Sequence, residues 1–123
     1  MKNLIKSLSL AIILGISSVG CNRFIYEGKI DEDNVNFYYN DFNKTRTLEV
    51  IKVNGDLLEY EDYLRLDGVV DKLIIKRQGK KTSYNSYNPA DYLILQQAQK
   101  EYEYYMKEIQ EQKLKESQEK FWS

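Results

Sequence analysis

From residue 24 to residue 87 the chain alternates apolar and polar side chains in short runs, most of them closed by turn-forming residues. A period of two marks a strand with one buried face. The alternation is cleanest over 34–39, where Val35, Phe37 and Tyr39 fall on one face and Asn34, Asn36 and Tyr38 on the other. Further runs at 24–29, 46–53, 57–63, 69–77 and 82–87 follow at short spacing. Together they predict an antiparallel meander of about five to six strands. Asn54-Gly55 favours a two-residue type I′ hairpin, because both central residues must take positive φ. The register that follows sets Val53 opposite Asp56, Ile51 opposite Leu58 and Glu49 opposite Tyr60. It assigns Ile51, Val53, Leu58 and Tyr60 to the core. Asp67-Gly68 and Gln78-Gly79-Lys80-Lys81 mark later turns. Between them Val69, Leu73 and Ile75 share one side, and Lys72 and Lys76 the other.

The period then changes to that of a helix. Asn88 is a good N-cap, and Pro89 suits a first helical turn. No glycine or proline interrupts 90–120, a segment rich in Gln, Glu, Lys, Leu and Ala. Leu95, Ala98, Tyr102, Tyr105 and Ile109 recur at three- and four-residue spacing and form one stripe. Tyr92, Ile94 and Met106 are expected to widen it. Past Ile109 only Leu114 is apolar before the terminal Phe121-Trp122-Ser123. The first five turns are expected to pack on the sheet and the rest to project. The expected fold class is therefore α+β: a small antiparallel β-meander within 21–87, then one long C-terminal helix in 88–123. A β-body of about 64 residues is small for a core that must stand alone, so the helix is expected to cover its apolar face.

Residues 1–20 differ from the rest. Lys2 and Lys6 precede an apolar run from Leu8 to Ile16 that only Ser9 and Gly15 break, and no acid occurs before Glu27. This is the layout of a cleaved signal peptide. The run is short for a membrane-spanning helix, which needs about 20 apolar residues. Ser18-Val19-Gly20-Cys21 resembles the lipobox of bacterial lipoproteins, with Ser18 standing where that pattern usually has an aliphatic residue. The resemblance covers 1–21 alone. It implies acylation of Cys21, which becomes the first residue of the mature chain. A lipid anchor at Cys21 makes the membrane the first expected partner and the cell envelope, periplasmic or cell-surface, the expected location. Strand signals begin at Phe24, so almost no linker is left and the body is expected to sit close to the membrane.

Composition narrows the chemistry. Among 123 residues there is no histidine and one cysteine. That excludes a Ser-His-Asp triad, a Cys-His pair, an intrachain disulfide and a zinc site of the usual Cys/His kind. No cofactor or metal is expected, and the chain is not expected to be an enzyme. The formal charge is −1; loss of Lys2 and Lys6 with the signal leaves 16 basic and 19 acidic side chains, a balance of −3. Such a chain has no bulk attraction to nucleic acid.

Three clusters bear on binding. The segment from Tyr63 to Ile74 resembles the second half of an EF-hand loop around Asp67, Gly68 and Asp71. Tyr63, Arg65 and Ile74, however, occupy positions that require oxygen donors. A tight Asp-Gly turn between strands accounts for the same residues. Asp31-Glu32-Asp33 reads as a solvated turn. Glycosidase chemistry needs two carboxyls across a cleft, and so small a domain offers little cleft. Lys76, Arg77, Lys80 and Lys81, followed by Tyr84 and Tyr87, form a basic hairpin tip. It suits edge protection, or contact with anionic headgroups or wall polymer. Of the eleven tyrosines, Tyr102, Tyr104 and Tyr105 cannot all face the sheet, and Tyr104 is the one expected to be exposed. The functional expectation is a lipid-anchored, non-catalytic interaction module whose C-terminal helix meets a protein partner, with Tyr104, Leu114, Phe121 and Trp122 as contacts. The alternative is a calcium- or polysaccharide-binding module at the envelope, using Asp67, Asp71 and the tyrosines.

Overall fold

The structure, a computed structural model, describes residues 22–122, and the side chains of 22–120. Cys21, the predicted signal at 1–20, Ser123 and the side chains of Phe121 and Trp122 lie outside the described residues. Six strands follow one another: β1 (Asn22–Ile30), β2 (Asp33–Asn40), β3 (Thr45–Ile51), β4 (Leu57–Asp62), β5 (Lys72–Arg77) and β6 (Lys80–Asn85). Each pairs antiparallel with the next, so sheet order equals chain order and the expected meander is present. A single 3-10 turn, Pro89–Asp91, leads into α1 (Tyr92–Trp122). Asn88 caps that turn, its side chain accepting from the amide of Ala90 at 3.1 Å.

Two turns are of the two-residue kind. Asp31 and Glu32 both have positive φ between β1 and β2, as do Gln78 and Gly79 between β5 and β6. That backbone twist matches the twist of the flanking strands. The hairpin at Asn54-Gly55 is different, and it corrects the predicted register. Ile51 pairs with Leu57, Val50 with Leu58 and Leu48 with Tyr60. The amide of Lys52 bonds Asp56 O at 2.8 Å, while Gly55 N reaches Lys52 O at 2.9 Å. Only Gly55 takes positive φ there, at 97°. The loop therefore holds three residues, with glycine in the left-handed position.

One extra loop residue turns β3 over relative to the prediction. Leu48 and Val50 are fully buried, whereas Ile51 lies half-buried on the opposite face and Val53 is 74% exposed. Leu58 and Tyr60 of β4 keep the predicted core side. Two strand ends also move. β5 starts at Lys72, because Asp71 closes the ladder with a 2.8 Å bond to Glu61 O, which leaves 63–70 as a loop and Val69 exposed. β6 ends at Asn85, whose amide is taken by Asp91 at 3.0 Å, so Tyr87 lies outside the sheet.

The helix crosses the sheet from β6 towards β1. Leu95, Ala98, Tyr102, Tyr105 and Ile109 are all buried, the predicted stripe. Met106 packs beside it, but Tyr92 and Ile94 are exposed and do not widen it. Tyr102 is the centre of the seam, with ring centroids 6.5 Å from Phe37 and 6.4 Å from Tyr60. These tilted and edge-on contacts are the geometries aromatic rings prefer. Ala98 is 1% exposed and supplies the small side chain that lets helix and sheet approach closely.

Candidate functional site

Polar side chains of α1 tie the helix to the sheet along its length. At its start Gln99 accepts from Val70 N at 2.7 Å and donates to Gly68 O at 2.9 Å. In the middle, Tyr60 donates to Glu101 at 2.8 Å, and Tyr105 donates to Asp33 at 3.3 Å. Lys52 reaches the same Asp33 oxygen at 3.1 Å. Further on, Tyr104 donates to Asp31 and Tyr26 to Gln112. Gln112 also donates to Lys29 O at 3.3 Å, and Lys113 to Ile25 O at 3.2 Å. The last two occupy backbone carbonyls of the edge strand, which would otherwise invite pairing with another chain.

Electrostatics make these groups donors and fixed charges. Burial raises the Tyr60 hydroxyl strongly, and the adjoining Glu101 carboxylate adds to the shift. Burial pushes Tyr102 up to about 12, with the Asp62 carboxylate adding to it. Tyr105 is also raised, by burial first. Tyr104 is pushed up to about 12 chiefly by its hydrogen bond to Asp31. Burial alone would lower Lys52, but the bond to Asp33 and the fields of Tyr105 and Asp33 raise it overall. At neutral pH these hydroxyls keep their protons and Lys52 its charge, which suits positioning rather than proton abstraction.

The Asp-Gly loop uses its carboxylates on its own backbone. Asp71 accepts from the amides of Tyr63 and Leu64, both at 2.9 Å. Asp67 accepts from Val69 N at 3.1 Å, and Asp62 from Gly68 N at 2.8 Å. Asp62 is wholly buried; its second oxygen has no hydrogen-bond partner, and Arg46 stands 3.8 Å from the first. Burial raises its pKa and Asp71 adds to that, against the Gly68 amide and Arg46. Among the described residues no group of three or more Cys, Asp or Glu side chains is arranged to hold a metal ion.

Of the predicted contact residues, Tyr104 is partly exposed but tied to Asp31, and Leu114 is 59% exposed. They do not share a site. Leu114 lines a groove of about 480 Å³ with Ile25, Met106 and Lys113. Tyr104 borders a separate cleft of about 290 Å³ with Lys52, Tyr60 and Glu101. From 111 to 120 every residue of α1 is exposed except the half-buried Gln112. The ties through Tyr26, Gln99, Gln112 and Lys113 were not foreseen, since no spacing rule distinguishes a bonded surface Gln or Lys from a solvated one. No helix among the described residues is long and apolar enough to cross a membrane. Comparison with protein-family models, with curated proteins and with solved structures finds no match.

Proposed function

We propose that this chain is an exported, lipid-anchored protein of the cell envelope, held through acylated Cys21, and that it works as a non-catalytic interaction module. What carries the reading is the N-terminal sequence, in which Lys2 and Lys6, the apolar run from Leu8 to Ile16 and the lipobox-like Ser18-Val19-Gly20-Cys21 follow one another. Asn22, the residue after that cysteine, already belongs to β1, so an anchor at Cys21 joins the sheet without a spacer. Two or more acyl chains hold a protein firmly where one does not, at about 0.8 kcal/mol per buried CH₂.

The distal part of α1 is the surface offered to a protein partner. Its last turns extend past the apolar stripe, and an isolated helix gains its stability mainly from packing. Leu114 and the terminal Phe121 and Trp122 are its apolar side chains in that stretch. Two measurements test the reading. Mass analysis of the Cys21 peptide should find acyl groups, and Cys21→Ser should release the protein from membranes; retention of that variant overturns the anchor. Crosslinking in intact envelopes should capture one protein, and capture should fall at least fivefold with Leu114→Lys combined with truncation after Glu116. Unchanged capture overturns the helix as the contact.

A further inference from the structure

The meander sorts its connections between two ends. Asn22, the first residue of β1, pairs with Asn40, the last of β2. The loops β2–β3 and β4–β5 and the link from β6 to α1 therefore lie at the end where the chain leaves towards Cys21. The three tight hairpins lie at the opposite end. Exposed apolar side chains are divided unevenly between these ends. Each connection at the Asn22 end carries at least one: Phe42 is 85% exposed, Leu64 and Val69 about half, and Tyr87 71%. Tyr92 at the start of α1 adds another beside Val69. The opposite turns expose only Val53 of this kind, among Asp31, Glu32, Asn54, Gln78 and Lys80.

We infer that the Asn22 end is a membrane-contacting rim, with Phe42, Leu64, Val69 and Tyr87 seated in the headgroup region of a lipid bilayer. This rests on the anchor proposed at Cys21. Consecutive Cα atoms are about 3.8 Å apart, so an acylated Cys21 cannot hold Asn22 far from the lipid. The end that must lie nearest the bilayer is thus the end that exposes loop apolar groups. Aromatic side chains with a polar tip, such as Tyr87, favour that interface. The charges nearby nearly cancel. Arg23 pairs with Asp41 at 2.7 Å, Lys44 and Arg65 are basic, and Asp67 is turned onto Val69 N. Apolar seating, rather than attraction to anionic lipid, holds the rim.

The test uses the full chain, processed and purified from membranes, with its one tryptophan replaced (Trp122→Phe) and a single new one introduced by Phe42→Trp or Val53→Trp. Each protein is placed in phosphatidylcholine vesicles with and without lipid brominated near the headgroup. Bromolipid should quench the Phe42→Trp protein at least twofold and leave the Val53→Trp protein unchanged, and 20% phosphatidylglycerol should alter neither result. Equal quenching of the two proteins overturns the rim. So does a position-42 fluorophore shielded from iodide in native envelopes but untouched by bromolipid, which would mean that a protein covers this end. The acyl mass at Cys21 is read separately. Its absence overturns the anchor, and quenching confined to position 42 would then still support the rim.

Discussion

Gln99 clasps the backbone at Val70: its carbonyl accepts the Val70 amide at 2.7 Å while its own amide donates to the nearby Gly68 carbonyl. Both backbone groups belong to the longest loop of the sheet, and Val70 is buried beneath the helix. Gln99→Leu leaves a buried amide without an acceptor, which costs about 1–3 kcal/mol. The variant should melt several degrees lower, and hydrogen exchange at Val70 should accelerate. Unchanged exchange at that amide would show that the clasp does not hold the loop.

Gly28 permits another tie. A Cβ built there lies 2.8 Å from Cζ of Tyr26, whose ring runs along β1 to reach Gln112. Gly28→Ala must push that ring off the strand, and overpacking of this kind costs about 1–3 kcal/mol. Tyr26→Phe keeps the ring and removes only the hydroxyl, so it should cost less, near 1 kcal/mol. Equal stabilities of the wild type and Gly28→Ala in urea melts would contradict the close approach.

The helix should tolerate shortening to a definite point. Truncation after Glu116 removes the exposed residues 117–120 and the last three of the chain, and stability should stay within about 0.5 kcal/mol. Truncation after Gln110 also removes Gln112 and Lys113, with their bonds to Tyr26, Lys29 and Ile25. That loss should cost about 1–3 kcal/mol. Urea melts of the two truncated proteins check the contrast, and equal midpoints would refute it.

Alkaline pH should unfold the protein through its tyrosines. Tyr38 and Tyr102 are pushed up to about 12 by burial first, with Glu49 adding to it for Tyr38 and Asp62 for Tyr102, and Tyr60 is raised further. An unfolded tyrosine ionises near pH 10, so above that pH the unfolded chain binds fewer protons than the native one. Stability held in full below about pH 10 should fall as pH rises towards 12. Circular dichroism melts from pH 8 to 12 should show this decline, and Tyr102→Phe should reduce its slope. A melting temperature constant to pH 12 would contradict the buried ionisations.

Several features were legible in the sequence because they depend on neighbours along the chain. The period-two runs located all six strands, the Asn88-Pro89 pair located the helix start, and the 95–109 stripe named the side chains that α1 buries. Nothing local, in contrast, ties Gln112 to a strand more than eighty residues earlier. Exposed Phe42, Leu64, Val69 and Tyr87 likewise read as unrelated residues until the meander brings their loops to one end.

The register of β3 on β4 shows where that division falls. Asn54-Gly55 guarantees a turn, because glycine reaches the left-handed region without strain. It does not choose between a two-residue loop and a three-residue loop, and β3 has apolar side chains on both faces. The choice was made by packing: with three loop residues Leu48 and Val50 lie on the same face as Phe37, Val35 and Tyr60, under Tyr102. By itself, the sequence determined the elements, their order and the stripe that joins helix to sheet, since local periodicity and turn chemistry suffice for these. Tertiary structure alone decided which face of β3 is buried, which polar side chains fasten α1, and which end of the sheet carries the exposed apolar rim. Each of those depends on contacts between residues far apart in the chain.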